Sequence, residues 1–306
     1  MRLWPSATRS IQNATTAYEV AGAAPTKRQK DTRGSTMAQE QLSISDIPAN
    51  ITPREMRHII REGRFSSPTS GLCPGYAQGN LIVLPKEDAY DFLLFAMRNP
   101  KPCPILEVSE VGDRFFHTSS ADCDIANDFP RYRVYRDGVM VDDPTSVEDL
   151  WRDDLVAFLI GCSFSFESEL IEAGIEMRHN TQGCNVSMYI TNIACEPAGK
   201  MSGNMVVSMR PIPHELVPAA VAITAQMPRV HGMPIQIGYP EHIGIHDLAH
   251  PDYGDAVTIR ENEVPVFWPC GVTPQAVVMH SKPPFVITHA PGHMFITDVK
   301  NAVLKL

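Results

Sequence analysis

The chain has no uninterrupted apolar run near the roughly 18–20 residues that a membrane helix needs. No membrane partner is therefore expected. Basic residues are in deficit: 26 Lys and Arg stand against 35 Asp and Glu, a formal net charge of −9. Nucleic-acid binding rests on a basic surface that neutralises phosphates, so that class is excluded as well. Charged residues are only 20% of the chain and apolar ones 43%, too apolar for a disordered protein. The seven cysteines form no Cys-x-x-Cys pair. Odd in number and scattered, they read as reduced, mostly buried thiols of an intracellular protein, which places the chain in the cytoplasm. There is no phosphate-cradling Gly-x4-Gly-Lys-Ser/Thr loop, no Gly-x-Ser-x-Gly elbow and no His-Glu-x-x-His pair. Internal repeats are absent too.

What is present is 306 residues, enough for two domains or one large one with a sizeable core. Charge is unevenly spread. Residues 1–36 carry six basic and two acidic groups, or +4, which leaves −13 on the remainder. This first segment is rich in Ser, Thr and Ala and resembles an organelle transit peptide, which would direct the protein to the mitochondrial matrix. A disordered extension ahead of Met37 is the plainer reading.

Thr52-Pro53-Arg54-Glu55 predicts a helix start: Thr52 as N-cap, Pro53 in the first turn and Glu55 closing a capping box, with the end near Gly63. Residues 64–80 are polar and turn-forming and predict a long functional loop. A short strand at 81–84, a helix at 88–98 with a stripe of Tyr90, Leu93, Leu94 and Met97, and a strand at 105–108 follow. That order predicts a parallel-sheet unit. Asp137-Gly138 predicts a tight hairpin turn. Val147, Leu150, Trp151, Leu155 and Phe158 fall at helical spacing, and a second helical pattern runs from Phe164 to Ile171. Strands at 186–191 and 203–209 and a helix at 214–226 predict a compact α+β unit. Beyond a loop-rich stretch come a strand at 264–268, a helix near 274–279, and strands at 285–288 and 294–298. The predicted fold class is α/β: a three-layer α/β body over 41–175 and 229–306, a two-layer α+β domain inserted at 176–228, and an extension over 1–40.

Four constellations bear chemistry. His242, His246 and His250, with Asp247 alongside, would line one face of a helix and hold a transition metal. Gly244 within the run and flanking Pro240 and Pro251 favour a solvated loop instead. Gly161-Cys162-Ser163 ahead of a helix would offer N–H groups and hydroxyls to an anion. Ser163 or Ser165 as a plain cap with Glu167 or Glu169, and Cys162 as a packed thiol, is the simpler alternative. Cys270-Gly271-Val272-Thr273-Pro274-Gln275 joins a strand to a helix, where α/β sheets bind ligands, or is a well-made turn. His289 and His293 flank Pro291-Gly292 between two strands, either as acid/base groups or as structural histidines.

Taken together, the run from Arg64-Phe65 to Asn80, Gly161 to Glu167, Asn192 to Pro197, Met209-Arg210-Pro211, Pro265 to Gln275 and Thr288 to Asp298 resembles the D-glutamate cyclase family, over residues 45–306. The resemblance implies a two-part α/β fold and conversion of D-glutamate to 5-oxo-D-proline with loss of water. The family pattern has a Gly-Asp-Pro turn before Ile-Gly-Ile-x-Asp-Leu. Here Gly238-Tyr239-Pro240-Glu241 stands in its place and the three histidines fall at variable positions, so Asp247 and Asp255 are the better candidate acids.

That reaction needs a base for the amine and help for a departing carboxylate oxygen. The residues the resemblance points to for proton transfer are His289, His293, Glu167 and Asp298. Arg64 or Arg210 would hold a substrate carboxylate, with Tyr76, Gln78, Asn80, Ser163, Cys270, Thr273 and Gln275 completing the binding surface. A −13 body repels an acidic ligand, so a local arginine pocket is expected. Spacing neither demands nor excludes a divalent metal ion. The expected partner is a small amino-acid substrate, with homo-oligomer formation left open. Another hydro-lyase, a lactam hydrolase or a non-catalytic binder of amino-acid derivatives would use the same loops.

Overall fold

The computed structural model describes residues 40–306. The basic extension expected over 1–40 lies outside them, apart from Glu40. The first helix, α1 (Pro53–Arg61), begins as its sequence predicts: Thr52 accepts the Glu55 N–H, and the Glu55 carboxylate accepts the Thr52 N–H at 2.9 Å. After a loop come β1 (Tyr76–Pro85), α2 (Lys86–Arg98), β2 (Ile105–Val108), β3 (Tyr132–Arg136), β4 (Val139–Asp142) and β5 (Leu155–Gly161). The chain continues through α3 (Phe164–Glu172), α4 (Arg178–Gln182), β6 (Ser187–Ala194), β7 (Asn204–Pro213), α5 (Val217–Ala225) and β8 (Gln236–Ile237). It ends with β9 (Glu263–Pro269), α6 (Thr273–Ser281), β10 (Val286–His289) and β11 (Phe295–Lys300).

Two sheets result. One runs β2-β5-β1-β10-β3-β4, with β11 also on β1; the other runs β6-β7-β9-β8. The fold is mixed α/β, and every ladder among the described residues is antiparallel. The parallel unit expected from strand-helix-strand order is therefore not formed. β1 and β2 both run antiparallel to β5, which lies between them. Sequence order sets direction here, but a strand arriving later takes the neighbouring place. The second sheet draws β6 and β7 from 187–213 and β8 and β9 from 236–269.

Phe92 and Phe95 of α2, with Val277 and Val278 of α6, cover one face of the larger sheet. The other face packs against Phe116, Ile125, Phe129 and Val147. This corrects the stripe expected on α2. Tyr90 and Met97 are 69% and 67% exposed, while Ala89, Phe92, Phe95 and Ala96 are buried. Two apolar sets share this helix, and the edge-to-face contact of Phe92 with Phe158 of β5, centroids 4.9 Å apart, selects one of them.

The helix expected across 147–160 is likewise replaced. A single 3-10 turn, Glu148–Leu150, leads into β5, whose seven residues are all buried. A short apolar run covered on both faces reads alike as strand or helix until partners arrive. The 137–138 turn forms as predicted: Asp137 and Gly138 have φ of 50° and 79°, the left-handed pair a two-residue hairpin requires.

The Pro291-Gly292 segment is not a reversal. β10 and β11 both pair antiparallel with the same edge of β1, at Ile82↔Thr288 and Gly79↔Phe295. Residues 289–294 therefore bulge out of one long partner strand, opposite only Asn80 and Leu81.

Candidate active site

The first buried polar cluster follows from two periodicities. In α3, Phe166 and Leu170 pack into the core beside Trp268. Ser163 and Glu167, four residues apart, share the neighbouring face of the same turn. In β7, Ser208 and Arg210, two apart, share one face of the strand. These faces meet. Arg210 is fully buried; its Nε donates to Glu167 Oε1 at 3.0 Å, its second terminal nitrogen donates to the same oxygen and to Ser163 Oγ at 3.0 Å, and Nη1 donates to Ser208 Oγ at 2.9 Å. The guanidinium also lies over the Phe166 and Trp268 rings, 5.3 and 5.7 Å from their centroids.

His179 of α4 completes the cluster. Its Nε2 is 3.2 Å from Glu167 Oε1, and its ring stacks on Phe164 at 6.1 Å and 18°. Ser70 Oγ donates to Asn180 Oδ1 at 2.7 Å and lies 3.2 Å from Glu167 Oε2 and 3.4 Å from His179 Nε2. Burial alone would raise the Glu167 carboxyl. The charge of His179 when it is protonated, that of Arg210 and the hydrogen bonds of both outweigh it and hold the group down at about 2. Glu167 is thus a permanent carboxylate with one side fixed. Its other side opens on a cavity of about 90 Å³ lined by Tyr76, Gln78, Ser168, Asn180, Asn301 and the 71–75 loop.

Glu167 and Ser163 both meet Arg210, but the role expected of Arg210 does not fit its surroundings. Its carboxylate-binding fork is already filled by Glu167, so it positions that residue. Arg64 is remote from this cluster: it lies beside Glu62 at 3.4 Å and lines an open groove with Glu55 and His58 of α1. Asp298 is held by a bidentate pair with buried Arg57, 3.0 Å on each side, and accepts the Ala121 N–H at 3.0 Å.

His289 sits where β1 changes partner from β10 to β11. Its Nδ1 accepts the Leu81 N–H at 3.1 Å, taking the place of a ladder bond. Burial pushes its pKa down to about 3, so the ring is neutral with the proton on Nε2. Gln275 Nε2 donates to the His289 carbonyl at 2.6 Å. His293 Nδ1 lies 3.0 Å from the Pro291 carbonyl, and burial lowers its pKa also.

The remaining expected residues brace loops. Gln78 accepts from Thr69 Oγ1 at 2.7 Å and donates to the Thr69 carbonyl at 3.0 Å, closing the 69–78 loop. Asn80 donates to the Gly161 carbonyl at 2.8 Å, and a Cβ at Gly271 would stand 2.0 Å from its Nδ2. Thr273 Oγ1 donates to the Cys270 carbonyl at 2.7 Å and accepts the Val206 N–H at 3.0 Å. The Cys270 thiol is pushed up to about 11 by burial, so it is a packed thiol. Tyr76 lines the cavity while its ring receives Lys300 Nζ at 3.8 Å.

The histidine row does not form a helix face. Gly244 is left-handed, and His242, His246 and His250 are all exposed. Among the described residues no three His, Cys, Asp or Glu side chains converge to hold a metal ion. Asp247 pairs with His250 at 2.7 Å on the surface, and Asp255 accepts the Asn185 N–H at 2.9 Å. Sequence reasoning missed His179, Ser70, Asn180 and Ser208. Only Ser208 carried a signal, its period-2 spacing from Arg210; α4 has too few residues to show periodicity.

A family model described as D-glutamate cyclase matches residues 156–298, the span holding Ser163, Glu167, His179 and Arg210. A protein of Clostridium beijerinckii named "Putative hydro-lyase" is 63% identical over 257 residues, 84% of this chain and 98% of its own length. The chain belongs to the D-glutamate cyclase family. A Bacillus subtilis protein, also named "Putative hydro-lyase", is 56% identical over 256 residues, 84% of this chain and 100% of its own. In Stutzerimonas stutzeri another is 54% identical over 255 residues, 83% and 96% of the two chains. A nitrogen repressor-like protein of Methanococcus jannaschii superposes at a TM-score of only 0.34 with 8% identity, over 80% of this chain and 97% of the other, and carries no argument. For this family member the matched span contains the whole Arg210–Glu167–His179 row. Among the described residues no helix is long and apolar enough to cross a membrane.

Proposed function

We propose that the protein is a hydro-lyase that cyclises D-glutamate to 5-oxo-D-proline, releasing water. One observation carries the reading: Glu167, fixed from behind by Arg210, contacts His179 Nε2 at 3.2 Å and borders a small cavity of about 90 Å³. The substrate's α-ammonium must lose two protons and its γ-carboxylate one oxygen, which departs as water with both. A group held near a pKa of about 2 is too weak a base for the first step. In this reading neutral His179, its Nε2–H on Glu167, takes that proton at Nδ1, and Glu167 stabilises the imidazolium that forms. The amine nitrogen then bonds to the γ-carbon. His179 returns its proton to the departing oxygen, and the second proton leaves the nitrogen as it becomes an amide. Folding the substrate in a tight cavity supplies the proximity term.

A serine-dependent lactam hydrolase fits less well. In a Ser-His-acid triad the acid and the serine occupy opposite ring nitrogens. Here Ser70 and Glu167 both face Nε2, which cannot donate to one and accept from the other at once. The free state of all seven cysteines supports a reducing compartment, in keeping with a cytoplasmic site of action. The test is direct: purified protein is incubated with D-glutamate, and 5-oxoproline is followed with L-glutamate in parallel. Formation from D-glutamate that is lost in H179Q supports the proposal. No product from D-glutamate, with and without added divalent metal, overturns it.

A further inference from the structure

Among the described residues, five buried side-chain polar atoms have no hydrogen-bond partner: Arg133 Nε, His231 Nε2, Gln275 Oε1, His289 Nε2 and Asn301 Oδ1. Of these residues, Asn301 lines the cavity beside Glu167. It is 3% exposed and follows directly on β11. Its backbone N–H donates to the Gly75 carbonyl at 2.9 Å, which ties it to the cavity's loop. Its Nδ2 donates to Ser168 Oγ at 3.3 Å, and that leaves Oδ1 unmatched. An unmatched buried carbonyl costs about 1–3 kcal/mol, so such atoms in folded proteins generally answer to a partner.

The chemistry of the lining says what that partner is. The cavity wall carries the Glu167 carboxylate and carboxamides from Gln78, Asn180 and Asn301, and no Lys or Arg. Glu167 Oε1 is spent on Arg210 and His179, while Oε2 has only the Ser70 hydroxyl. An anionic oxygen and an unsatisfied amide oxygen on one small cavity match a cation with several N–H donors. We propose that Asn301 Oδ1 and Glu167 Oε2 form the receptor for the substrate's primary ammonium group. Resting on the active-site reading above, this makes Asn301 the residue that separates amino acids from the corresponding acids without nitrogen.

The experiment compares D-glutamate with glutarate, which has the same carbon chain and two carboxylates but no amine. Binding is measured by calorimetry on the full chain for wild type, N301L and N301D, and turnover of D-glutamate is measured alongside. Wild type is expected to prefer D-glutamate at least tenfold. N301L abolishes the preference and raises KM about tenfold or more. N301D, which keeps an acceptor in place, retains the preference. A wild-type protein that binds both ligands equally, an N301L protein that keeps the preference, or a folded N301D protein that loses it overturns the proposal. The two readings fail separately. Amine preference without 5-oxoproline formation sinks the cyclase reading and leaves the ammonium receptor standing, while turnover with unchanged preference in N301L does the reverse.

Discussion

Glu167 Oε1 lies 3.2 Å from His179 Nε2 and accepts two N–H bonds from Arg210, so one oxygen joins a buried cation to an imidazole. The three side chains come from α3, α4 and β7, and none is more than 4% exposed. Such a row has consequences for stability, for pH response and for rate.

Removing the anion strands a buried guanidinium. E167Q is expected to lower unfolding stability by roughly 3–5 kcal/mol, and R210M by a similar amount. The double variant E167Q/R210M removes both charges and should lose clearly less than the two single losses added together. Denaturant titration of the four proteins reads this directly, and additive losses would show that the pair is not coupled.

H179Q tests the proton-transfer role. The ring's contacts are a carboxylate, a hydroxyl and the Phe164 face. Turnover should fall about 10²–10⁴-fold, the usual worth of a positioned acid/base group. The melting temperature should move much less than in E167Q. Wild-type turnover in H179Q would remove His179 from the mechanism.

Glu167 and His289 are two separable sources of acid lability. Glu167 is held at about 2 in the folded chain, below its ordinary 4.5. Its stabilisation is present above pH 4.5 and is lost as pH falls towards 2. His289 is held at about 3, below its ordinary 6.5. Below pH 6.5 the unfolded chain takes up a proton that the folded chain refuses, so stability falls between pH 6.5 and 3. H289N, whose carboxamide oxygen can accept the Leu81 N–H, should make stability less steep against pH in the upper window, where buried His231, held at about 4, still contributes, and leave the lower one intact. An unchanged slope between pH 6.5 and 4.5 would contradict the assignment.

Arg64 and Asp298 make a matched control. R64A breaks only a 3.4 Å surface contact with Glu62 and should leave KM and kcat within about twofold and stability within 0.5 kcal/mol. D298N weakens the pair that satisfies buried Arg57 and should cost about 1–3 kcal/mol of stability without a matching loss of kcat. A large rise in KM in R64A would return Arg64 to the substrate site.

Much of the local structure is written in short segments. The Thr52-Pro53-Glu55 start of α1, the Asp137-Gly138 turn and the helical pattern of Phe164 to Ile171 all appear where they were expected, whereas Thr273, expected as the cap of α6, is its first residue, with its hydroxyl on the Cys270 carbonyl. Ser163 precedes α3 as a cap would, but its side chain makes no cap bond and meets Arg210 instead. Each of these signals acts over a few residues, through caps, φ preferences and side-chain period. The same is true of the ordered motifs that identify the family.

Other decisions were made only by long-range contact. The apolar run at 155–161 became a strand because β1 and β2 lie on either side of it. α2 buried its phenylalanines because Phe158 was there to meet them. His289 became a ladder cap because β1 changes partners at Leu81. His179, with no motif of its own, reached Glu167 because α4 packs against α3 through Phe164. The sequence by itself determined the caps, the turns, the acidic body and the family. The tertiary structure decided which strands pair, which arginine is already satisfied and which histidine faces the carboxylate, since those depend on residues far apart in the chain that meet only when the core closes.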